Sequence, residues 1–240
     1  RLDDPRSTGL GLCVLALIAM LSDAYLEALE FSEQSISLAV TPFDRETALN
    51  IKGCVLALLR RTEEGLSILE AFRNRCAVDG DLYSLMTSDA ILGVSKVIQG
   101  DISKGIRLLK EAISKRENEG YRAAADWYRL FLGEVYLQII EGKEKVPLKI
   151  LLRNLLTLLK VMGTASPSIR ILMESLLANP RFHPDGYMPG RAHMLLGLLY
   201  KAKKRTAPAL HHLTESRRIL SQFGKTPILT RVDAALAELD

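Results

Sequence analysis

The first stretch that could bind a phosphate is "GKT" at 224–226, which has the form of the end of a phosphate-binding loop. Such a loop needs a glycine five residues before Gly224, where Ile219 stands, because its backbone N–H groups must cradle the phosphates. The loop should also follow a strand, whereas this stretch follows a helical pattern that ends in "RRILSQF". The sequence therefore predicts a helix end here.

Histidines offer the second chemical possibility. His211 and His212 are adjacent, so on a helix they point in different directions and cannot share a metal ion as an i, i+4 pair could. His183, Asp185 and His193 meet only if the loop "NPRFHPDGYMPG" brings them together, and such loops are more often simple connections. We predict no metal, no cofactor and no catalytic residue, and we expect that the chain is not an enzyme.

Composition favours an all-helical chain. Hydrophobic residues make up 48% of the 240 residues and aromatic residues only 6%, while Leu, Ala, Glu, Lys and Arg dominate. The net charge of +4 is too small to predict a nucleic-acid partner. The charge is unevenly divided, with a balance of −4 over residues 1–120 and +8 over residues 121–240. The C-terminal half could therefore attract an acidic surface.

Cysteine usage and hydropathy bear on location. Cys13, Cys54 and Cys76 are odd in number and form no CxxC pair, which favours buried thiols in a reducing compartment, so we expect a cytoplasmic protein. The apolar run at 9–21 is too short to cross a membrane, which takes about 20 residues, and we predict a buried helix and no membrane partner. Because the chain opens with Arg1 rather than Met, we expect a fragment of a longer protein.

Small residues recur at regular intervals. Six glycines follow stretches of helical periodicity and predict helix ends, at Gly80, Gly100, Gly120, Gly142, Gly163 and Gly224. Five small residues begin similar frames, 37, 40, 40 and 64 residues apart: Ala16, Gly53, Gly93, Gly133 and Gly197. In four frames a second small residue follows twelve positions later, at Ala28, Gly65, Gly105 and Ala209. Such residues let two antiparallel helices approach closely, and pairs of this kind must stack to bury their remaining faces.

This pattern resembles the tetratricopeptide repeat, and "LLGLLYKAKKRTAPALHHL" at 195–213 is its nearest copy. The frames are longer than the standard repeat of about 34 residues, and surplus residues follow "EGKEKVP" in the fourth frame. The resemblance implies an all-α fold, an α-α superhelix (tetratricopeptide-like solenoid) of about a dozen antiparallel helices. We predict a single domain over 1–240, with an irregular insert at 143–190 that holds an extra helix at 166–179.

Three stretches carry a narrower resemblance: "TPFDRETALNIKG" (41–53), "EGYRAAADWYRLFLGEVYLQI" (119–139) and "LLGLLYKAKKR" (195–205). They resemble the C-terminal helical-repeat region of bacterial signalling proteins that join a class III adenylate/guanylate cyclase domain to an ATPase module. The resemblance implies a non-catalytic protein-interaction or regulatory module. Its partners would then be a protein or peptide, including the parent's own catalytic and ATPase domains.

The stretch 119–140 holds the only Trp of the chain and three of its seven Tyr. On a helix, one face carries Tyr121, Tyr128, Leu132, Tyr136 and Ile139, which predicts core packing. A second face carries Trp127, and a third stripe of Arg122, Asp126 and Arg129 is spaced so that its members can pair with one another.

The groove of tetratricopeptide-like arrays is lined by positions six and three before the small residue and one and four after it. Carried over to this sequence, the resemblance implies six candidates for partner binding: Asn50, Trp127, Leu130, Glu134, Arg191 and Lys201. Two alternatives stay open. In the first, the chain is a sensor whose groove, with Trp127 and the tyrosines at its base, closes on a small ligand. In the second, the chain is a self-associating scaffold that forms a homodimer.

Overall fold

The computed structural model describes residues 4–142 and 148–239. Within these residues the chain forms twelve α-helices and one short 3₁₀ helix, with no strand, which confirms the predicted all-α class of about a dozen helices. The helices are α1 (Pro5–Leu21), α2 (Tyr25–Ser37), α3 (Pro42–Leu58), α4 (Thr62–Asp79), α5 (Leu82–Ile98), α6 (Ile102–Asn118), α7 (Arg122–Glu141), α8 (Leu148–Arg153), α9 (Leu155–Leu177), α10 (Tyr187–Ala202), α11 (Thr206–Leu220) and α12 (Pro227–Ala237), with the 3₁₀ helix at Ser221–Phe223.

Several helices begin where side chains satisfy the free backbone N–H groups of the first turn. The Asp4 carboxylate accepts hydrogen bonds from the first turn of α1. At α3, Thr41 and Asp44 form a reciprocal capping box, in which each side chain accepts from the other residue's backbone N–H. The Thr226 hydroxyl caps α12 by accepting a hydrogen bond from the backbone N–H of Leu229, and Pro227 follows at the first helical position, where no N–H is needed. These local signals fix where the helices start.

The turns between helices keep a constant register relative to the small residues. Seven positions after the first small residue, four of the five frames place a residue in the left-handed conformation: Asp23, Arg60, Gly100 and Lys204. Fifteen positions after the second small residue, three frames place a residue with a positive φ angle: Gly80, Gly120 and Gly224. Gly163 differs, because it lies inside α9, so the prediction that it ends a helix is wrong. An added Cβ there would touch nothing within 4 Å, and the helix continues through it.

The first of two compact units, Arg1–Gln99, contains α1 to α5. Each of these helices contacts the next one in sequence, and α1 also contacts α3 as α3 contacts α5. The predicted close approach occurs between α3 and α4, where a Cβ added to Gly65 would lie 2.7 Å from the backbone of Gly53 and Ala57. Leu56 and Leu69 are fully buried beside it. The small residues of this frame therefore set the distance between the two helices.

The second unit, Gly100–Asp240, contains α6 to α12. Here α7 contacts α6, α9 and α10, while α10 also contacts α9 and α11, and α12 packs on α11. The close approach predicted for the fifth frame is present, because a Cβ added to Gly197 would lie 2.6 Å from the side chain of Leu213. The side chain of Asn154, which precedes α9, donates hydrogen bonds to the carbonyl oxygens of Gly100 and Ile150.

The longest helix of the described chain is α9, with 23 residues. The helix predicted at 166–179 falls within its C-terminal part, and residues 143–147 of the predicted insert lie outside the described residues. By length and composition, α9 is the one described helix apolar enough to cross a membrane. In its C-terminal half, however, Ile169 and Met173 are fully buried, as in the core helix of a folded domain. One such helix is weak evidence for a membrane span.

Candidate interaction surface

In the second unit, two contacts join candidate residues of α7 to residues of α10. We call the contact between aromatic rings the aromatic rung and the contact between charged groups the ionic rung. In the first rung, the ring centroids of Trp127 on α7 and Tyr187 on α10 are 6.2 Å apart. In the second rung, an oxygen of Glu134 lies 3.9 Å from a guanidinium nitrogen of Arg191. Glu134 follows Trp127 by seven residues and Arg191 follows Tyr187 by four, so each pair lies on one side of its helix. These four residues define what we call the α7–α10 face.

The aromatic rung continues to a third ring. Phe223, in the 3₁₀ helix, meets Tyr187 edge to face at 5.5 Å between centroids, and its side chain is largely exposed. Trp127 and Tyr187 are half-buried. Sequence reasoning selected Trp127 and missed the other two rings, since their positions depend on how α10 and the 3₁₀ helix pack. Partly exposed Trp and Tyr side chains combine large contact area with a polar atom, as anchors at protein interfaces do.

The ionic rung is shared with a third helix. Arg231 of α12 donates a hydrogen bond of 2.5 Å to Glu134, so this carboxylate lies between two guanidinium groups. Lys201, near the end of α10, pairs with Glu238 just beyond α12 at 2.7 Å. The two predicted residues Glu134 and Lys201 are thus joined to the C-terminal helix. In this structure α12 covers the ionic rung, while the aromatic rung is left accessible.

The two other candidates lie elsewhere. Leu130 is 1% exposed and packs in the core beneath α7, so a partner could reach it only if the helices moved. Asn50 belongs to α3 in the first unit and is half-buried. Its side-chain oxygen is buried, and no described residue donates a hydrogen bond to it. Within the second unit, the structure therefore brings Trp127 and Glu134 of α7 together with residues of α10, Tyr187 and Arg191, whereas Leu130 lies in the core.

The predicted core packing of the tyrosine face is confirmed in the middle of α7 but not at its ends, because Tyr121, which precedes α7, is 45% exposed and Ile139 is half-buried. Tyr128, Leu132 and Tyr136 are all buried. The fully buried Arg116 of α6 donates a hydrogen bond of 3.2 Å to the hydroxyl of Tyr128, and its guanidinium lies over the rings of Tyr128 and Tyr121. These buried tyrosines do not form the floor of an open ligand groove in this structure.

The third stripe of α7 behaves partly as predicted. Asp126 is buried and pairs with Arg129, and its second oxygen accepts a hydrogen bond of 2.9 Å from the side chain of Asn179. All three residues of the stripe line, with Arg181, an open polar pocket of about 680 Å³. The pairing of Asp126 ties α7 to the end of α9, and Arg122 stays on the surface.

The histidines meet in a combination that the sequence did not suggest. The Nδ1 atoms of His193 on α10 and His212 on α11 are 2.9 Å apart, a hydrogen bond in which one ring donates and the other accepts. Burial, followed by the charge of His212, lowers the pKa of His193 to about 4. Burial and His211 likewise lower the pKa of His212. Asp185 pairs with Arg218 rather than with His193. Among the described residues, no three His, Cys, Asp or Glu side chains are placed to hold a metal ion.

No protein-family model and no curated protein matches this sequence. Among solved structures, it is similar to the nearly identical TPR-like repeats of a candidate kinesin light chain from Podosopora anserina, with 13% identity and a TM-score of 0.50 over 93% of this chain and 100% of that one. A single-substitution variant of the same repeats gives 12% identity and a TM-score of 0.52, covering 93% of this chain and 99% of that one. The fold of this chain is TPR-like. At such low identity the likeness concerns the TPR-like fold alone, and it agrees with the paired helices and small-residue contacts of both units.

Proposed function

We propose that this TPR-like chain is a protein-interaction module that binds a peptide or a helix of a partner protein at the accessible aromatic rung of the α7–α10 face. The observation that carries the proposal is the aromatic rung, in which rings from three separate elements, Trp127, Tyr187 and Phe223, meet at the surface. Aromatic side chains in such clusters dominate the energetics of many protein interfaces.

The ionic rung supports this proposal by making the surface rigid. Glu134 links α7 to α12 through Arg231 and approaches Arg191 on α10, so the helices that present the rings are held together. A surface that is already ordered loses less conformational entropy when a ligand binds. The α7–α10 face is therefore suited to a short segment that inserts apolar side chains between the rings.

The test is to select binders from a random 15-residue peptide display library on the wild-type chain. Binding should shift the emission of Trp127, the only Trp, and Tyr187→Ala should weaken binding at least tenfold, or about 1.4 kcal/mol. Phe43→Ala is the matched control, because Phe43 is an exposed aromatic residue on α3 of the first unit. Selected peptides that bind the Tyr187→Ala chain as tightly as the wild type would contradict the proposal.

We also propose that the module acts as a regulatory arm of a cytoplasmic signalling protein with a class III adenylate/guanylate cyclase domain and an ATPase module. Support comes from the resemblance of residues 41–53, 119–139 and 195–205. The three cysteines are free and buried, which suits a reducing compartment. The partner is then the parent's own catalytic or ATPase domain.

Cyclic-nucleotide production by the complete parent protein, with and without residues 1–240, tests this finer proposal. A rate that changes when the segment is deleted supports the regulatory role. If no cyclic nucleotide forms in either protein, the cyclase assignment is wrong, and the interaction at the α7–α10 face is tested separately by the peptide experiment.

A further inference from the structure

The first half of α9 carries an apolar face that none of the other described residues covers. Leu155, Leu159 and Met162 lie within about 40° of one direction around the helix, and Ile169 and Met173 lie on the same side further along. Ile169 and Met173 are fully buried, whereas Leu159 and Met162 are 59% and 61% exposed. Val161 and Ala165 continue the buried side of α9 towards its N-terminus, and the stripe of Leu155, Leu159 and Met162 lies exposed beside them. Exposed apolar surface arranged in this manner marks interaction sites.

The same side of α9 leads into a basic pocket. Ser166 and Arg170, the next residues on that side, line a cavity of about 350 Å³ together with Lys203 and Arg205, which follow α10. None of the described residues that line it is acidic. Arg170 lies 3.9 Å from Glu174, an exposed pair one helical turn apart, which is a weak interaction in water. Apolar and basic surfaces thus adjoin along one line.

We propose that this surface docks an acidic amphipathic helix of a partner protein. It consists of the apolar stripe and the basic pocket, and its defining residues are Leu155, Leu159, Met162, Arg170, Lys203 and Arg205. From 155 to 170 the surface extends about 22 Å, or four turns of helix. A partner helix of about 15 residues matches that length, with leucine-type residues at i, i+3, i+4 and i+7 on the stripe and carboxylates at one end in the pocket.

Charge favours this partner over a second copy of the chain, and the shape of the surface favours it over a membrane. Residues 121–240 carry a balance of +8, so two copies facing each other through this surface would repel. A flat lipid surface suits it less, because the cations lie in a recess beside Tyr200 and Leu199 and the continuation of the stripe is buried in the core. The surface is also distinct from the α7–α10 face, so the two proposals stand or fall separately.

The probe is a fluorescein-labelled helical peptide of 18 residues with leucines at i, i+3, i+4 and i+7 and three glutamates at one end, made in two versions with the glutamates at either end. Fluorescence anisotropy should show that at least one version binds the 240-residue chain. A matched peptide with lysine in place of glutamate should bind at least tenfold more weakly. Added salt should reduce the difference, because the ion pairs are near the surface.

Two substitutions locate the bound peptide, and each has a matched control on α9. Met162→Ser and Lys203→Glu should each weaken binding at least tenfold. Ile171→Ser is the apolar control, since Ile171 is 62% exposed but lies half a turn of the helix away from Met162. Lys160→Glu is the charge control, because Lys160 is exposed and does not line the pocket. Both control chains should bind as the wild type does, with unchanged helical circular dichroism.

Several results would overturn the proposal. These are a failure of both glutamate peptides to bind, equal binding of the lysine peptide, or equal losses in the control variants. Phosphatidylglycerol vesicles that bind the wild-type chain but not the Met162→Ser variant, without any peptide binding, would assign the stripe to a membrane instead. A doubled mass in light scattering that Met162→Ser abolishes, again without peptide binding, would assign it to a second copy.

Discussion

Replacing Glu134 by glutamine should destabilise the second compact unit, because its carboxylate lies between two arginines. One oxygen accepts a hydrogen bond from Arg231 of α12, and the other lies 3.9 Å from Arg191 of α10. Glutamine keeps the size of the side chain and removes its negative charge. Arg191, whose side chain is 5% exposed, would then keep its positive charge in the core without this counter-charge.

The magnitude follows from the burial of each partner. Loss of one member of a fully buried ion pair costs about 3–5 kcal/mol. Arg231 is 32% exposed, and water can take over much of the lost interaction there, so the main effect comes from Arg191. We therefore expect that Glu134→Gln lowers the free energy of unfolding by about 2–3 kcal/mol, at or just below the lower limit of that range. In a chain of this size this corresponds to a fall in Tm of roughly 4–12 °C.

Urea unfolding monitored by Trp emission measures this effect directly, because Trp127, the only Trp, lies on the same helix as Glu134. The matched control is Glu238→Gln. This substitution removes the ion pair between Glu238 and Lys201, in which the Glu238 side chain is 66% exposed. We expect the control to change the free energy of unfolding by less than about 0.5 kcal/mol. If Glu134→Gln costs no more than the control, the reasoning that this carboxylate holds α12 and α10 to α7 is refuted.

Three further predictions concern the core. Burial holds the pKa of His193 near 4, below the 6.5 of the unfolded chain, so the unfolded state binds more protons between these values. Stability should therefore fall by about 1–2 kcal/mol between pH 7 and pH 4, allowing for partial exposure, because His193 must become charged in its buried site. Urea midpoints that change equally with pH in His193→Gln would exclude this cause. Gly65→Ala should destabilise the first unit by about 1–3 kcal/mol, because the added carbon would lie 2.7 Å from the facing helix. Gly11→Ala should stabilise the unit slightly, because nothing lies within 4 Å of its added carbon. Thermal unfolding followed by circular dichroism compares the two variants, and equal Tm values would be inconsistent with close packing at Gly65. Burial raises the pKa of Cys54 to about 12, so a thiol reagent should modify Cys54 only in the unfolded chain. Rapid modification of Cys54 in the native chain would show that α3 opens locally.

The fold was largely predictable because its signals are local. Helical periodicity, helix-ending glycines and small residues at fixed spacing act over fewer than twenty positions, and the contacts of Gly65 and Gly197 agree with them. The error at Gly163 has a physical reason. A glycine at an exposed helix position costs only about 1 kcal/mol relative to alanine, so it need not end the helix.

The surface was less predictable because its contacts join distant parts of the chain. The sequence placed Trp127 and Glu134 on one face of α7. It gave no sign that Arg231, 97 residues from Glu134, would pair with that carboxylate. The hydrogen bond between His193 and His212 was missed for the same reason, since it depends on how α10 packs against α11. Side-chain types and spacing on one helix are readable from the sequence, whereas the neighbour that covers them is set by tertiary packing.

The constant position of the left-handed turn residue has a consequence for the direction in which the chain leaves each helix. In four frames this residue comes seven positions after the small residue, but α7 runs on until Gly142, nine positions after Gly133. Each added residue rotates the point of exit by about 100°, so two residues turn it to nearly the opposite side of α7. We expect this change of direction to keep a following helix from packing where the second helix packs in the other frames. The helix that covers α7 is instead α9, which follows α8 in the chain. The surplus length of the fourth repeat thus accompanies a first helix, α7, that is only two residues longer past its small residue than in the other frames.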